Sequence, residues 1–227
     1  MEFGQMNWMQ VESYLAEDDR VILVIGAVEQ HGYLSLLTDV HIPEHLAQAA
    51  SEQTGVLVAP TMPFGASHYF LAYPGTVSLR LSTLLAVLED MLRSLYGYGF
   101  RRFVVLNGHG GNRGAKMVLD ELAVELPALR AAWYDWWISP VVLKIAEKHG
   151  LSPSHANWLE AFEFNRVVDL PEGEKDFSGR GPSWHPDQVR RHFGDGSFGG
   201  HYQAPPAVMD EIFSACLQEV VALLNDS

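Results

Sequence analysis

The chain has 227 residues, 48% hydrophobic and 19% charged, enough for one sizeable core, which excludes a disordered polymer. Its 28 acidic and 15 basic side chains give a net charge of -13, which repels phosphate backbones and anionic lipid, so neither nucleic acid nor membrane is an expected partner. The single cysteine, Cys216, excludes an intrachain disulfide and any zinc site built on several thiolates, so a metal would have to be held mainly by His, Asp and Glu.

Met1 to Gln10 shows neither the basic nor the apolar region of a secretory signal, and the apolar run Val21 to Val28 is too short to cross a bilayer. A cytoplasmic location is the expectation. Val21 to Ile25, closed by Gly26, is a continuous aliphatic run of the kind found in strands buried on both faces. Pro43 to Gln53 is predicted as a helix with proline in its first turn, and Val56 to Ala59, stopped by Pro60, as a second strand. Leu81 to Tyr98 carries apolar residues at 84, 85, 88, 91, 92 and 95, a helical stripe. Phe103 to Leu106 is a third strand, followed by a helix over Asn112 to Leu126 with Asn112 as its N-cap, and Arg130 to Trp137 is a fourth strand. Asp169 to Ala204 is rich in Gly, Pro, Asp and Ser without a clear period, a loop of functional or subunit-contact type. Pro206 to Asn225 reads as a closing amphipathic helix. This alternation predicts one domain over 1–227, an α/β sandwich with a largely parallel sheet.

Ligands of open α/β sheets bind beyond the carboxyl ends of the strands. After the first strand stand Glu29, Gln30, His31 and Gly32, then Thr38-Asp39; after the third stands Asn107-Gly108-His109-Gly110-Gly111-Asn112. An extended run from Glu29 to His31 places carboxylate and imidazole on one face. His109 arrives from the neighbouring strand, and the glycines around it let backbone or substrate come close. Carboxylates mixed with imidazoles suit zinc, manganese, iron or cobalt better than magnesium or calcium. Asp39 is a candidate bridge between two such ions. A phosphate-binding alternative is weaker. The pattern G-x-G-x-x-G from Gly108 meets Arg113 where a glycine is needed, and no P-loop Lys-Ser/Thr pair follows.

These segments resemble the creatininase (creatinine amidohydrolase) family. The resemblance is carried by Gly26 to Gly32 with Thr38-Asp39, by Tyr73-Pro74-Gly75-Thr76-Val77-Ser78-Leu79, by Gly99-Phe100-Arg101-Arg102 leading into Asn107 to Asn112, and by His155-Ala156 with Glu160. It implies a three-layer α/β/α sandwich, a two-metal site using zinc and/or manganese (iron also serving) and a homo-oligomer, often a hexamer. Carried over by position, Glu29 and His109 would bind one ion and His31 the other, with Asp39 between them. Creatininases proper carry a further ligand Glu where Gly111 stands here, and the resemblance assigns that duty to Glu160. His155 would be a proton donor or substrate contact. The chain departs from the family at Tyr33 to Leu36, at Phe70 in place of a His, at Ser154 in place of a Glu, at Trp158 in place of a Glu, and at Ala161-Phe162 in place of Thr-Ser.

The resemblance implies hydrolysis of a non-peptide C-N bond in a small cyclic amide, lactam or formamide by a metal-activated water. His155 and Glu160 are the catalytic candidates, and Phe70, Gly110 and Trp136 are candidates for the substrate pocket. A metal-binding scaffold or ligand-binding protein of the same family that no longer turns over is the alternative.

Overall fold

The computed structural model describes residues 1–179, 181 and 184–226. Four strands, β1 (Arg20–Ile25), β2 (Leu57–Val58), β3 (Arg102–Asn107) and β4 (Arg130–Asp135), form one sheet in the order β2-β1-β3-β4. Every pairing in it is parallel, with Val24 opposite Leu106 and Ile25 opposite Asn107 at the carboxyl ends. The chain runs outward from β1 to β2, then returns to place β3 on the other side of β1. The topological switch point therefore lies between β1 and β3, the position where such sheets open a crevice for ligands.

Strand residues divide by parity between two cores. Ile22, Val24, Val104 and Leu106 face helices α2 (Thr38–Thr54), α5 (Pro140–Lys148) and α7 (Pro206–Asp226). Val21, Leu23, Ile25, Phe103 and Val105 face α1 (Trp8–Leu15), α3 (Leu81–Tyr98) and α4 (Lys116–Glu125). The result is the three-layer α/β/α sandwich. Among the described residues no helix is long and apolar enough to cross a membrane.

Helix α3 has no side-chain cap at Arg80, so packing has to hold it. Leu84, Leu88 and Leu92 are fully buried one turn apart, each contributing roughly 1.5–3 kcal/mol. That exceeds the roughly 1 kcal/mol a cap supplies. Helix α1 lacks buried residues but carries an Asn7/Gln10 capping box, and α5 starts on Ser139-Pro140; neither helix was among the predicted elements.

Four predicted boundaries shift, each for a physical reason. Helix α2 begins at Thr38, before Pro43, which sits inside the helix. Proline cannot donate to the carbonyl of Asp39, and Gly108 occupies the space against that oxygen. The second strand keeps only two residues because β2 pairs β1 at Leu57 and Val58 alone. The fourth ends at Asp135, where Trp136–Ile138 turn into a 3-10 helix. Asn112 caps no helix: it is fully buried in a 3-10 stretch, Gly110–Ala115, and α4 starts only at Lys116.

The aperiodic segment 169–204 contains more order than its composition suggests. Helix α6 (Pro186–Phe193) opens on a His185/Gln188 capping box, and β5 (Glu174–Lys175) pairs antiparallel with β6 (Gly200–His201). Arg180, Pro182 and Ser183 of this segment lie outside the described residues.

Candidate metal centre and cleft

Two strand ends and one helix start deliver the acidic and imidazole groups to the switch point. Beyond β1, the Tyr73–Leu79 segment pins the Glu29 loop. Val77 donates its N-H to the Val28 carbonyl at 2.9 Å, and the Thr76 hydroxyl accepts the Gln30 N-H at 3.1 Å. Beyond β3, the two asparagines of the glycine-rich turn lock His109 in place. Asn107 accepts the His109 N-H at 3.1 Å and donates to the Asp135 carboxylate at 2.7 Å. Asn112 donates to the Gly26 carbonyl at 2.9 Å and accepts the Ala66 N-H at 3.1 Å, tying the turn to β1. Asp39 lies in the first turn of α2, where the helix dipole favours a negative charge. A Cβ at Gly26 would stand 2.7 Å from the Asp39 carbonyl oxygen, so glycine there lets the helix start approach the sheet.

Asp39 is the hub. Its Oδ1 lies 3.0 Å from His31 Nε2 and its Oδ2 lies 2.8 Å from His109 Nδ1. Each imidazole gives its other nitrogen to a backbone carbonyl: His31 Nδ1 donates to Glu29 at 3.0 Å and His109 Nε2 to Ala66 at 3.2 Å. Such outer hydrogen bonds fix the ring and aim the remaining nitrogen inward. Glu29 Oε2 lies 3.5 Å from His109 Nε2, and Glu160 Oε1 lies 3.8 Å from His31 Nε2. Glu29, Asp39 and His109 form one group close enough to hold a cation, and His31, Asp39 and Glu160 a second. All five predicted ligands thus converge, and Asp39 belongs to both groups.

Burial and charge work against each other here. Burial alone would discharge His31 and His109, but neighbouring carboxylates outweigh it. Asp39 and Glu160 raise His31 to about 10, and Glu29 and Asp39 raise His109 to about 9. Burial also opposes the Asp39 carboxylate, yet the imidazoles of His31 and His109 hold it well below the ordinary range. Burial pushes Glu29 up and takes Glu160 to about 7. Three buried atoms, Glu29 Oε2, His31 Nε2 and Asp39 Oδ2, nevertheless close no hydrogen bond of good geometry. Nitrogen and carboxylate donors left unsatisfied around one point fit a divalent cation.

Glu160 reaches the centre from a loop whose backbone turns sharply. Ala156 adopts φ 53°, a left-handed conformation costly for a residue with a Cβ, and its N-H donates to Glu160 Oε2 at 2.6 Å. His155 lies beside the centre, its Nδ1 3.8 Å from Glu29 Oε1, and burial holds its imidazole well below the ordinary pKa.

A cleft of about 550 Å³ opens over the centre, lined by Phe70, Gly110, Trp137, Leu143 and Phe198 as well as by Glu29, Asp39, His109 and Glu160. Phe70 and Gly110 are where the sequence reading puts them. Trp136 is not: it is buried in the core with its ring against Phe162, 6.1 Å between centroids, and its neighbour Trp137 lines the cleft instead. The strand's alternation stops at Asp135, so facing cannot be carried forward to the tryptophans. Phe198 was not anticipated either. It comes from a glycine-rich run with no period, and its ring packs against Phe70, His155 and Phe193 at the cleft.

A parallel α/β/α sheet with carboxylate and imidazole donors gathered at its switch point defines a metal-dependent hydrolase. The family model described as creatinine amidohydrolase (creatininase) matches residues 4–224. The chain belongs to the creatininase family. Creatinine amidohydrolase of Pseudomonas putida is 32% identical over 197 residues, covering 74% of this chain and 76% of that protein. The mycofactocin precursor peptide peptidase of Mycolicibacterium smegmatis is 34% identical over 136 residues, covering 57% of this chain and 52% of that protein. A creatininase variant of Zn-Zn type has the same fold, with TM-score 0.81 and 23% identity over 99% of this chain and 97% of that one. A creatininase described by its Mn gives TM-score 0.79 and 24% identity, with 99% and 97% covered.

Proposed function

We propose that this chain hydrolyses a non-peptide C-N bond in a small cyclic amide, lactam or formamide, using two divalent cations, zinc and/or manganese, with iron also able to serve. The observation that carries this reading is the shared carboxylate: Asp39 turns one oxygen to His31 and the other to His109, with Glu160 and Glu29 closing the two groups. Glu29, Asp39 and His109 would hold one ion, and His31, Asp39 and Glu160 the other. Bound there, the cations would supply Lewis acidity, polarising the scissile carbonyl and bringing the pKa of a water molecule to about 7.

The chain's own groups do the rest. Water oxygen joins the carbonyl carbon, the C-N bond breaks, and the leaving nitrogen takes up the proton that the water gives up. The open turn at Gly110, where an added Cβ would meet only Trp137 at 3.9 Å, leaves room for a substrate carbonyl beside the backbone. Phe70, Phe198 and Trp137 supply flat apolar walls. No lysine or arginine stands among the described residues that line the cleft, so positive charge offered to a substrate there would come from the cations. His155 and Glu160 are the groups placed to touch the reacting atoms.

A homo-oligomer, with a hexamer favoured, and a cytoplasmic location belong to the same reading. Exposed Leu36, Leu37 and Val77 beside the Glu29 loop support the first, and a buried free Cys216 is compatible with the second. Sedimentation equilibrium tests the oligomer.

The decisive experiment is metal analysis of the purified protein followed by a panel of lactams, cyclic ureas and formamides with added zinc or manganese. Turnover that follows metal content supports the reading. Two bound ions without turnover on any amide would favour the scaffold alternative.

A further inference from the structure

Asn157 is fully buried, and both its amide protons and its oxygen are engaged. Nδ2 donates to the Ser152 carbonyl at 3.0 Å and to the Gly199 carbonyl at 3.1 Å, and Oδ1 accepts the Leu159 N-H at 3.1 Å. Exchanging oxygen and nitrogen would set an acceptor against two carbonyls, so the amide has one orientation. Trp158, which stands where the family has a Glu, is also fully buried and donates from Nε1 to the same Ser152 carbonyl at 3.0 Å, filling its two lone pairs. Beside these clasps lies the strained point of the loop, Ala156 at φ 53°, a conformation that persists only where its surroundings enforce it. Asn165 and the Asn157 carbonyl anchor the Glu160 backbone, at 3.0 and 3.1 Å, whereas the Ala156 N-H grips its carboxylate at 2.6 Å. The loop is also tied to the cleft wall. The Phe198 N-H donates to the His155 carbonyl at 3.2 Å, and the Asn157 bond to Gly199 is a second link. A Cβ at Gly200 would stand 2.9 Å from Asn157 Nδ2, so glycine there admits the side chain. Both links use the backbone of the wall, so removing the Phe198 ring leaves them intact.

We propose that Asn157 is a positioning residue for the second cation: it holds Ala156 in the left-handed conformation that keeps the Glu160 carboxylate turned to His31 and Asp39. This rests on the hydrolase reading, which assigns Glu160 to that cation. The carboxylate is in place before the cation arrives, so binding does not have to order the loop. Without the Asn157 amide, the Leu159 N-H and the Gly199 carbonyl lose this partner, and Ala156 is free to leave its costly conformation. The first cation, held by Glu29, Asp39 and His109, draws on no residue of this loop. The two sites should therefore respond differently to a change at Asn157.

The test is a zinc titration of wild type and Asn157→Ala against a competing chelator, beside hydrogen exchange of the Ala156 amide in metal-free protein. Wild type should show two affinities and a slowly exchanging Ala156 N-H. Asn157→Ala should weaken one affinity by about tenfold to a hundredfold, leave the other within about twofold, and speed exchange at Ala156 by at least about tenfold. Adding Ala156→Gly, which removes the penalty on the left-handed backbone, should win back several-fold of the lost affinity. A merely structural Asn157 would lower Tm and leave both zinc affinities as they were, or weaken both alike; either result overturns the proposal. So would a fast-exchanging Ala156 N-H in the metal-free wild type, which can be read even if Asn157→Ala does not fold. Two affinities unchanged by the substitution sink this inference alone, whereas a wild type that takes up no zinc sinks the hydrolase reading with it.

Discussion

The rim where β1 and β3 end and the segment 169–204 both reach the cleft, but they are built differently. At the rim, each functional side chain is placed by its own neighbours: glycines at 26 and 108 admit the first turn of α2, and Asn107 and Asn112 clamp His109. In the 169–204 segment, Phe198 packs against rings distant in sequence, Phe70 and His155, and donates its N-H to the His155 carbonyl at 3.2 Å. The rim holds charge with short, local geometry, whereas the segment supplies apolar surface. Chemistry should therefore depend on the rim and selectivity on the segment.

The largest expected effect separates the shared ligand from an unshared one. Asp39→Ala should strip both cations and lower kcat/KM by at least about a thousandfold, whereas Glu160→Gln should cost at most one ion, as read by elemental analysis. Equal metal loss in the two variants would break the assignment of Asp39 to both groups.

Next comes the backbone of the rim. Gly108→Ala would drive a Cβ into the Asp39 carbonyl and the Pro43 ring, costing about 1–3 kcal/mol as overpacking does and shifting Asp39. Both Tm and metal affinity should fall. A fully active, unshifted variant would show that the close approach is not required.

A third expectation concerns pH. In the metal-free protein His31 and His109 stand at about 10 and about 9, above an unfolded value of about 6.5. Groups raised on folding give stability that is complete below the unfolded value and is lost as pH climbs through the folded ones. Tm without metal should thus decline between about pH 7 and pH 10. Loading with zinc should release protons and remove that decline, because the ligands bind deprotonated. Thermal melts with and without chelator read both.

The smallest effect belongs to the segment. Phe198→Ala should raise KM several-fold, by about tenfold at most, with metal content unchanged. A change in bound metal instead would show that the wall also supports the centre.

These differences in construction also decide what could be read in advance. Glu29, His31 and His109 were legible because ligand chemistry beyond strand ends, near glycine, has few other uses, and Asp39 through its place in the family pattern after Thr38. The start of α2 was not: Pro43 resembles a first-turn proline, and only the fold shows that Gly108 takes the place its missing N-H leaves. Asn112 has the local look of an N-cap, yet its partners are Gly26 and Ala66, far away in sequence. Trp136 and Trp137 exchange roles because a 3-10 turn replaces the strand's alternation. Phe198 left no local signal, since its contacts with Phe70 and His155 come from far along the chain.

The most direct test is an anomalous-difference map from crystals of the zinc-loaded protein, collected on both sides of the zinc edge. The account predicts two peaks flanking the Asp39 carboxylate, one against Glu29 and His109 and the other against His31 and Glu160. A single peak, or peaks that Asp39 does not touch, would contradict it.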